Sequence, residues 1–462
     1  MRHTIPTART GRITVAHSLL ATTRFLFRFR SVKRTIRRLN NGSRVLIRGW
    51  HMGGVFLPLL LVALAGCGSL RRPGENAEAS WYPEQLLTLE ERQQEAVIKL
   101  TRVQEFLRRE SLSGVLIGTV RNFAWVTAGG DNHIVIASEK GAVLLFIRDD
   151  GQKFVIASYS DAARVMNEDL RGMGYQLREI AWYGDRAEPG QMTATLQELT
   201  GGRPFASDTR YPGSHMVDDE LATLRVPLTE TEIRKYRWLG RRCAEAVDSV
   251  CRKIRPGMTE RGVEALVCDA LMRHAIRPAV LLIAADERIL NYRHAPPSDT
   301  KKIEKYAMVN ICASRWGLVI AMTRSVHFGP MPEDLEKKLH AAARVNAGFW
   351  ARTVPGAGAG AILQGAIEDY AAAGYPGEWE RHHQGGAIGY QERDWVAVPG
   401  ATQKVQANQA FAWNPAIQAV KVEDTILLAG DQLEILSEIR GWPVVESKAL
   451  GRIYRSPGIL VR

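Results

Sequence analysis

Acidic residues are absent from the first 51 positions, which nonetheless hold 12 arginines and lysines, from Arg2, Arg9 and Arg12 through to Arg44 and Arg48. With those 12 removed from the 61 basic residues of the chain, 49 remain against 49 acidic ones, so residues 52–462 carry no net charge. The overall balance of +12 therefore belongs to the N-terminal arm alone, and the body has no broad positive field to attract phosphates. No nucleic-acid partner is expected. Cysteine is also scarce: there are five in 462 residues, with no Cys-x-x-Cys pairing, so neither a disulfide scaffold nor a zinc ribbon is indicated. Cys243 and Cys251 lie on one predicted helix about 12 Å apart, too far to bridge each other. Cys243, Cys251, Cys268 and Cys312 read as buried thiols; export would permit a disulfide without specifying one. The apolar run from Val55 to Leu64 is too short to cross a bilayer as a helix and suits the core of a secretion signal.

That run ends in Leu64-Ala65-Gly66-Cys67, which resembles the bacterial lipobox, in which the Cys is acylated and becomes the mature N-terminus. Arg44 and Arg48 supply the positive flank. The expectation is an exported protein, lipid-anchored at Cys67 to a membrane of the bacterial cell envelope. More than one acyl chain would hold it firmly there, since a single chain holds only marginally. Residues 1–66 then form a basic extension plus signal, and 67–81 a tether.

What is plentiful after position 82 is alternation of helical and strand patterns, the mark of a mixed α/β (α+β) fold. Residues 82–225 read as one α/β domain. Apolar residues at helical spacing run from Leu87 to Arg109. Strand-length runs follow at 114–118, 123–127, 133–137, 142–147 and 154–157, and a helix at 161–173. A boundary falls near Pro227. Thr229 and Glu232 form a capping box that opens a long helix to Ile254, and Thr259 caps a second helix to His274. Strands around 280–284 and 307–313, a helix at 333–353, a Gly/Ala-rich stretch and a β-rich end complete a second domain, 226–455.

Several of these features in order carry a resemblance. They are the helix ending in Arg255-Pro256-Gly257-Met258-Thr259-Glu260, His294 in Tyr-Arg-His, the strand pair from Val309 to Arg324, the loop Gly385–Tyr390, and Val422-Glu423-Asp424-Thr425. Together they are similar to the pita-bread domain of the aminopeptidase P, prolidase and creatinase family, and residues 82–225 resemble the N-terminal domain that accompanies it. The resemblance implies a hydrolase in which two Asp, a His and two Glu hold two divalent ions. Carried over onto this chain, those five positions fall on Asn310, Ala321, Gly386, Asn414 and Glu423. Only the last keeps its ligand. Two divalent ions about 4 Å apart repel by roughly 16 kcal/mol at an effective dielectric of ~20. One carboxylate cannot offset that, so no metal and no other cofactor is expected.

The polar residues that remain are expected to line the same cleft. His294 is assigned as general base or acid, with Glu423 as its electrostatic partner, because an imidazole titrating near neutrality can move protons without a metal. His382, His383, Arg324, Arg393, Asp394, Asn310 and Asn414 are assigned to substrate binding, the two Asn as donors to a developing oxyanion. The leading reading is a metal-independent, creatinase-like hydrolase of a small amide, amidine or peptide-like substrate. The alternatives are a non-catalytic pita-bread protein that binds a small or peptide-like ligand, and a metallopeptidase with a site rebuilt from His382, His383, Asp394 and Glu423. The resemblance also implies a homodimer.

Overall fold

The computed structural model describes residues 86–187 and 190–462. The leader, Cys67 and the tether lie outside them. No helix among the described residues is long and apolar enough to cross a membrane.

The described residues open with the helix Leu89–Arg109, started by a reciprocal Thr88–Glu91 capping box. It packs on a six-stranded sheet whose centre is Gly114–Thr119, buried along its whole length. This strand pairs antiparallel with Lys140–Arg148 and parallel with Phe205–Ser207. Two expected strands are absent. Residues 120–126 form a helix, because the buried Asp208 carboxylate accepts from the Gly118 and Thr119 N–H groups (2.7 and 3.0 Å), from the Thr119 hydroxyl and from Asn122. The Thr119 hydroxyl in turn accepts from the Asn122 N–H. A capping partner some 90 residues away thus overrides the strand-like composition of Phe123–Thr127. The 133–137 run is bends and turns, with Ile134, Val135 and Ile136 all exposed. The 161–173 helix is replaced by Tyr159–Arg164, which runs into one wider turn at Val165–Asp169.

The second part begins as expected. Thr229 and Glu232 exchange hydrogen bonds of 3.1 and 2.7 Å at the head of Glu230–Cys251. Thr259 accepts from the Gly262 N–H to start Glu260–Met272. The strands Arg277–Ala285, Tyr306–Arg315, Leu318–His327 and Ile459–Val461 form one sheet. A two-residue turn, Trp316-Gly317, joins the middle pair; both residues have positive φ (56° and 82°), as the right-handed twist of a tight hairpin requires. A second sheet runs Trp395–Val396, Gly385–Ile388, Gln409–Trp413, Asp424–Ala429, Gln432–Ile435. The two sheets meet where the Thr323 N–H donates to the Glu423 carbonyl (3.1 Å) and Ala321 exchanges two hydrogen bonds with the Thr425 hydroxyl. The Gly/Ala-rich stretch is the helix Ala359–Ala372, which packs against Glu333–Arg352 over the second sheet.

Residues on both sides of Pro227 share one apolar core: Leu100, Phe106, Ile117 and Trp125 pack with Tyr236, Leu239, Ile320 and Met322. Across the same seam runs a buried ionic cluster. Lys99 is paired with Glu95 and with Glu232 (2.8 Å), Lys235 with Glu95 (2.7 Å), and the Tyr390 hydroxyl donates to Glu232 (2.7 Å). The four charges are essentially inaccessible and sum to zero. The four described cysteines are unpaired; three are buried and Cys268 is half-buried.

Candidate active site: a cleft whose carboxylate faces cations

The hairpin register sets the geometry of the site. Asn310 lies opposite Thr323, and Cys312 opposite Ala321. Asn310 and Ala321 are therefore diagonal neighbours on one face, where the resemblance places a bridging pair of carboxylates. Neither can supply one. Ala321 is fully buried with no donor atom, and the Asn310 amide donates to Glu423 Oε2 at 2.7 Å. The position that resembles the metal-binding His is closed as well. A Cβ on Gly386 would stand 2.1 Å from the Trp395 carbonyl oxygen, so any side chain there would displace backbone. Asn414 is buried, and its carbonyl oxygen has no partner.

Glu423 is the one acidic survivor, and it is fully engaged. Oε2 accepts from Asn310, from the Thr323 hydroxyl (2.8 Å) and from the Lys421 ammonium (3.3 Å), while Oε1 faces the Arg393 guanidinium at 2.9 Å. Burial alone would raise this carboxyl; Lys421 and Arg393 outweigh that and pull it down to about 2. Two fixed cations thus stand against the carboxylate that a metal would need. The donor set does not fit a pair of divalent ions.

A second cluster lies beside the first. His294 follows the short helix Glu287–Asn291, and Arg293 next to it is ion-paired with Glu378, just ahead of His382. This pair brings two distant segments together, so that His294 Nε2 lies 3.0 Å from His382 Nε2. His383 stacks on His382 with ring centres 4.4 Å apart. Burial, then Lys421, then the neighbouring imidazoles push His382 down to about 2. Desolvation with Arg393 and Lys421 lowers His383 to about 4. His294 is lowered by desolvation and Lys421, with Glu423 opposing. All three imidazoles are therefore neutral at pH 7. His382, Asn310, Arg293 and Lys421 line a small pocket together with apolar residues that include Leu282, Ile289, Met308, Ile417 and Val420.

Of the residues assigned from sequence, Asn310, Arg393 and Glu423 meet in one cluster and His294, His382 and His383 in the other. Arg324 and Asp394 are placed elsewhere. Successive strand residues face opposite sides, so Thr323 meets Glu423 while Arg324 points away, to Asp424 (2.7 Å) and the Ser437 carbonyl. Arg393 meets Glu423 while Asp394 faces Arg225 at 3.4 Å, buried and raised by that burial. A rebuilt metal site that uses Asp394 is thereby excluded. Asn310 is not free to donate to an oxyanion, and no hydrogen bond joins Glu423 to His294. Sequence reasoning missed Thr323 and Lys421. Pairing across the hairpin would have found Thr323, which lies opposite Asn310.

Residues 234–429 match the profile of metallopeptidase family M24. No curated protein matches the chain. Among solved structures, dipeptidase PepE from Mycobacterium ulcerans is 17% identical with a TM-score of 0.62, over 75% of this chain and 96% of that one. Prolidase from Thermococcus sibiricus is 18% identical with a TM-score of 0.62, over 74% and 96%. The N-terminal domain of the FACT complex subunit SPT16 from chickpea (Cicer arietinum) is 11% identical with a TM-score of 0.56, over 75% and 96%. At such identities the likeness is one of fold.

Proposed function

We propose that this chain, whose residues 234–429 match the profile of metallopeptidase family M24 within a prolidase-like, pita-bread fold, is a ligand-binding relative of those peptidases that does not use a paired-metal reaction. The observation that carries this reading is the saturation of Glu423 by Arg393, Lys421, Asn310 and Thr323. The pocket beside it is lined by apolar side chains together with Arg293, Asn310, His382 and Lys421, groups that could receive the polar parts of a small ligand. One structural neighbour, SPT16, is named for its place in a complex, so the fold is not confined to proteins named as peptidases.

A second reading keeps chemistry. His294 is exposed, neutral and hydrogen-bonded to His382, which is what a general base needs, and a hydrolase of a small amide or amidine could use it. The binding reading leads because Asn310, the expected oxyanion donor, is committed to Glu423. A screen of dipeptides, amides and amidines, read by calorimetry and by product release, separates the two. Saturable binding without turnover is expected. Turnover that falls by about 10²-fold or more in His294→Asn would establish the second reading instead. No binding to any such compound would sink both.

The same proposal places the protein at the cell envelope, held by acylated Cys67 and working as a homodimer. Mass spectrometry of membrane-fraction protein should find Cys67 as the modified N-terminus; an unmodified residue upstream of it refutes the anchor, and a monomer mass by light scattering refutes the dimer.

A further inference from the structure

We propose that His294, His382 and His383 form a mononuclear site for a borderline divalent cation of the Zn²⁺, Ni²⁺ or Cu²⁺ type. Nitrogen atoms of the three rings lie within 4.8 Å of one another. In a tetrahedral site with metal–nitrogen distances of about 2.0–2.1 Å, neighbouring nitrogens stand roughly 3.3 Å apart. The His294 and His382 Nε2 atoms, at 3.0 Å, are already near that spacing. His383, which is exposed, needs only to swing its ring toward them. The hydrogen bond between the His294 and His382 imidazoles is the contact that a cation would replace. A second observation points to a ligand: His382 is 8% exposed, yet its Nδ1 has no partner, so whichever way the ring is turned one nitrogen is unspent.

The chemistry of the donors selects the ion. The cluster contains imidazoles only, and Glu423, the carboxylate whose charge acts on all three rings, is already matched by Lys421 and Arg393. Mg²⁺, Ca²⁺ and Mn²⁺ favour oxygen donors and find none, whereas Zn²⁺, Ni²⁺ and Cu²⁺ bind imidazole well. The nearby cations oppose any positive ion, so the site should be of modest affinity. It differs from the family's carboxylate cradle in residues, in number of ions and in preferred metal. This inference goes beyond the ligand-binding reading and does not rest on it. A bound ion would take the His294 lone pair that the general-base reading requires, so that reading and this one exclude each other.

The test is equilibrium dialysis of chelator-stripped, full-length protein against Ni²⁺, Zn²⁺ and Mn²⁺, with metal counted per chain. One Ni²⁺ or Zn²⁺ and no Mn²⁺ is expected. His294→Ala and His383→Ala should each weaken binding by more than about tenfold, since losing a ligand should exceed the loss of an outer partner. His215→Ala, exposed and remote in sequence, should change nothing. Both test residues are exposed, so their variants remain folded even if His382→Ala does not. Absence of saturable Ni²⁺ and Zn²⁺ binding, or binding indifferent to both variants, overturns the proposal. So does stoichiometric Mn²⁺. Small-ligand binding to stripped protein bears on the proposed function and is unaffected by any of these results.

Discussion

Glu423→Gln should lower the free energy of unfolding by about 3 kcal/mol at pH 7. The carboxylate is buried against Lys421 and Arg393, whose side chains are only 9% and 11% exposed. Removing its charge leaves two cations nearly desolvated and unpaired, which typically costs about 3–5 kcal/mol. The lower end applies because both cations keep an edge in water. Linkage gives a similar size. A carboxyl held at about 2, against an ordinary 4.5, contributes roughly 3 kcal/mol when ionised in the fold. Because the folded value is depressed, that stability is complete above the unfolded value and drains away as the pH falls from 4.5 toward 2. Urea unfolding at pH 7 and pH 3 checks both points. The wild-type protein should lose stability on acidification, and Glu423→Gln should lose markedly less. A variant as stable as wild type at pH 7, with the same acid profile, would show that Arg393 and Lys421 do not depend on this carboxylate.

Lys99→Met should cost about 3–5 kcal/mol, the other large effect. Lys99 sits between Glu95 and Glu232 with no access to water, and its loss leaves Glu232 a buried anion whose remaining contacts are the Tyr390 hydroxyl and the Thr229 N–H. The cost measures stranding rather than the worth of the cluster. Charges taken from water into a core recover their desolvation only through one another, so replacing the whole set should be far milder. Glu95→Leu, Lys99→Met, Lys235→Met and Glu232→Gln together should be more stable than Lys99→Met alone, with Gln retained to cap the helix. Denaturant titration of both variants decides it; a quadruple variant less stable than the single one would mean that the four charges hold the fold by net attraction.

The sequence was most legible where structure is local. The Thr229–Glu232 capping box, the Thr259 cap and the paired strands around Asn310 and Ala321 are set by neighbours a few residues apart, and all appear at the expected places. It was least legible where a distant group decides. Asp208 turns Phe123–Val126 into a helix, and the Arg293–Glu378 pair carries His294 to His382 across 88 residues. No local pattern encodes either. Arg324 fails differently: it lies one residue from Thr323, a true member of the cluster, and a step of one along a strand reverses the face, while Asp394 sits in the bend before Trp395 and turns to Arg225. Lys421, the cation beside Glu423, stands in for the charge that a metal would bring, a role that no metal-ligand pattern marks in a sequence.

The ionic cluster at the seam bears on how far this chain can be shortened. Glu95 and Lys99 stand on the helix Leu89–Arg109, Glu232 and Lys235 on Glu230–Cys251, and Tyr390 comes from the cleft region. Arg102 also donates to the Leu224 and Pro227 carbonyls, and the Leu228 N–H donates to the Asn408 carbonyl. A gene trimmed to begin at Pro227 would yield a polypeptide bearing one half of an ion cluster and a bare apolar wall where Leu100 and Phe106 now lie. Such a product would precipitate or be degraded, even with every cleft residue present. The recognition surface and the segment ahead of it therefore stand or fall as a single unit, which any exchange of gene segments would have to carry whole.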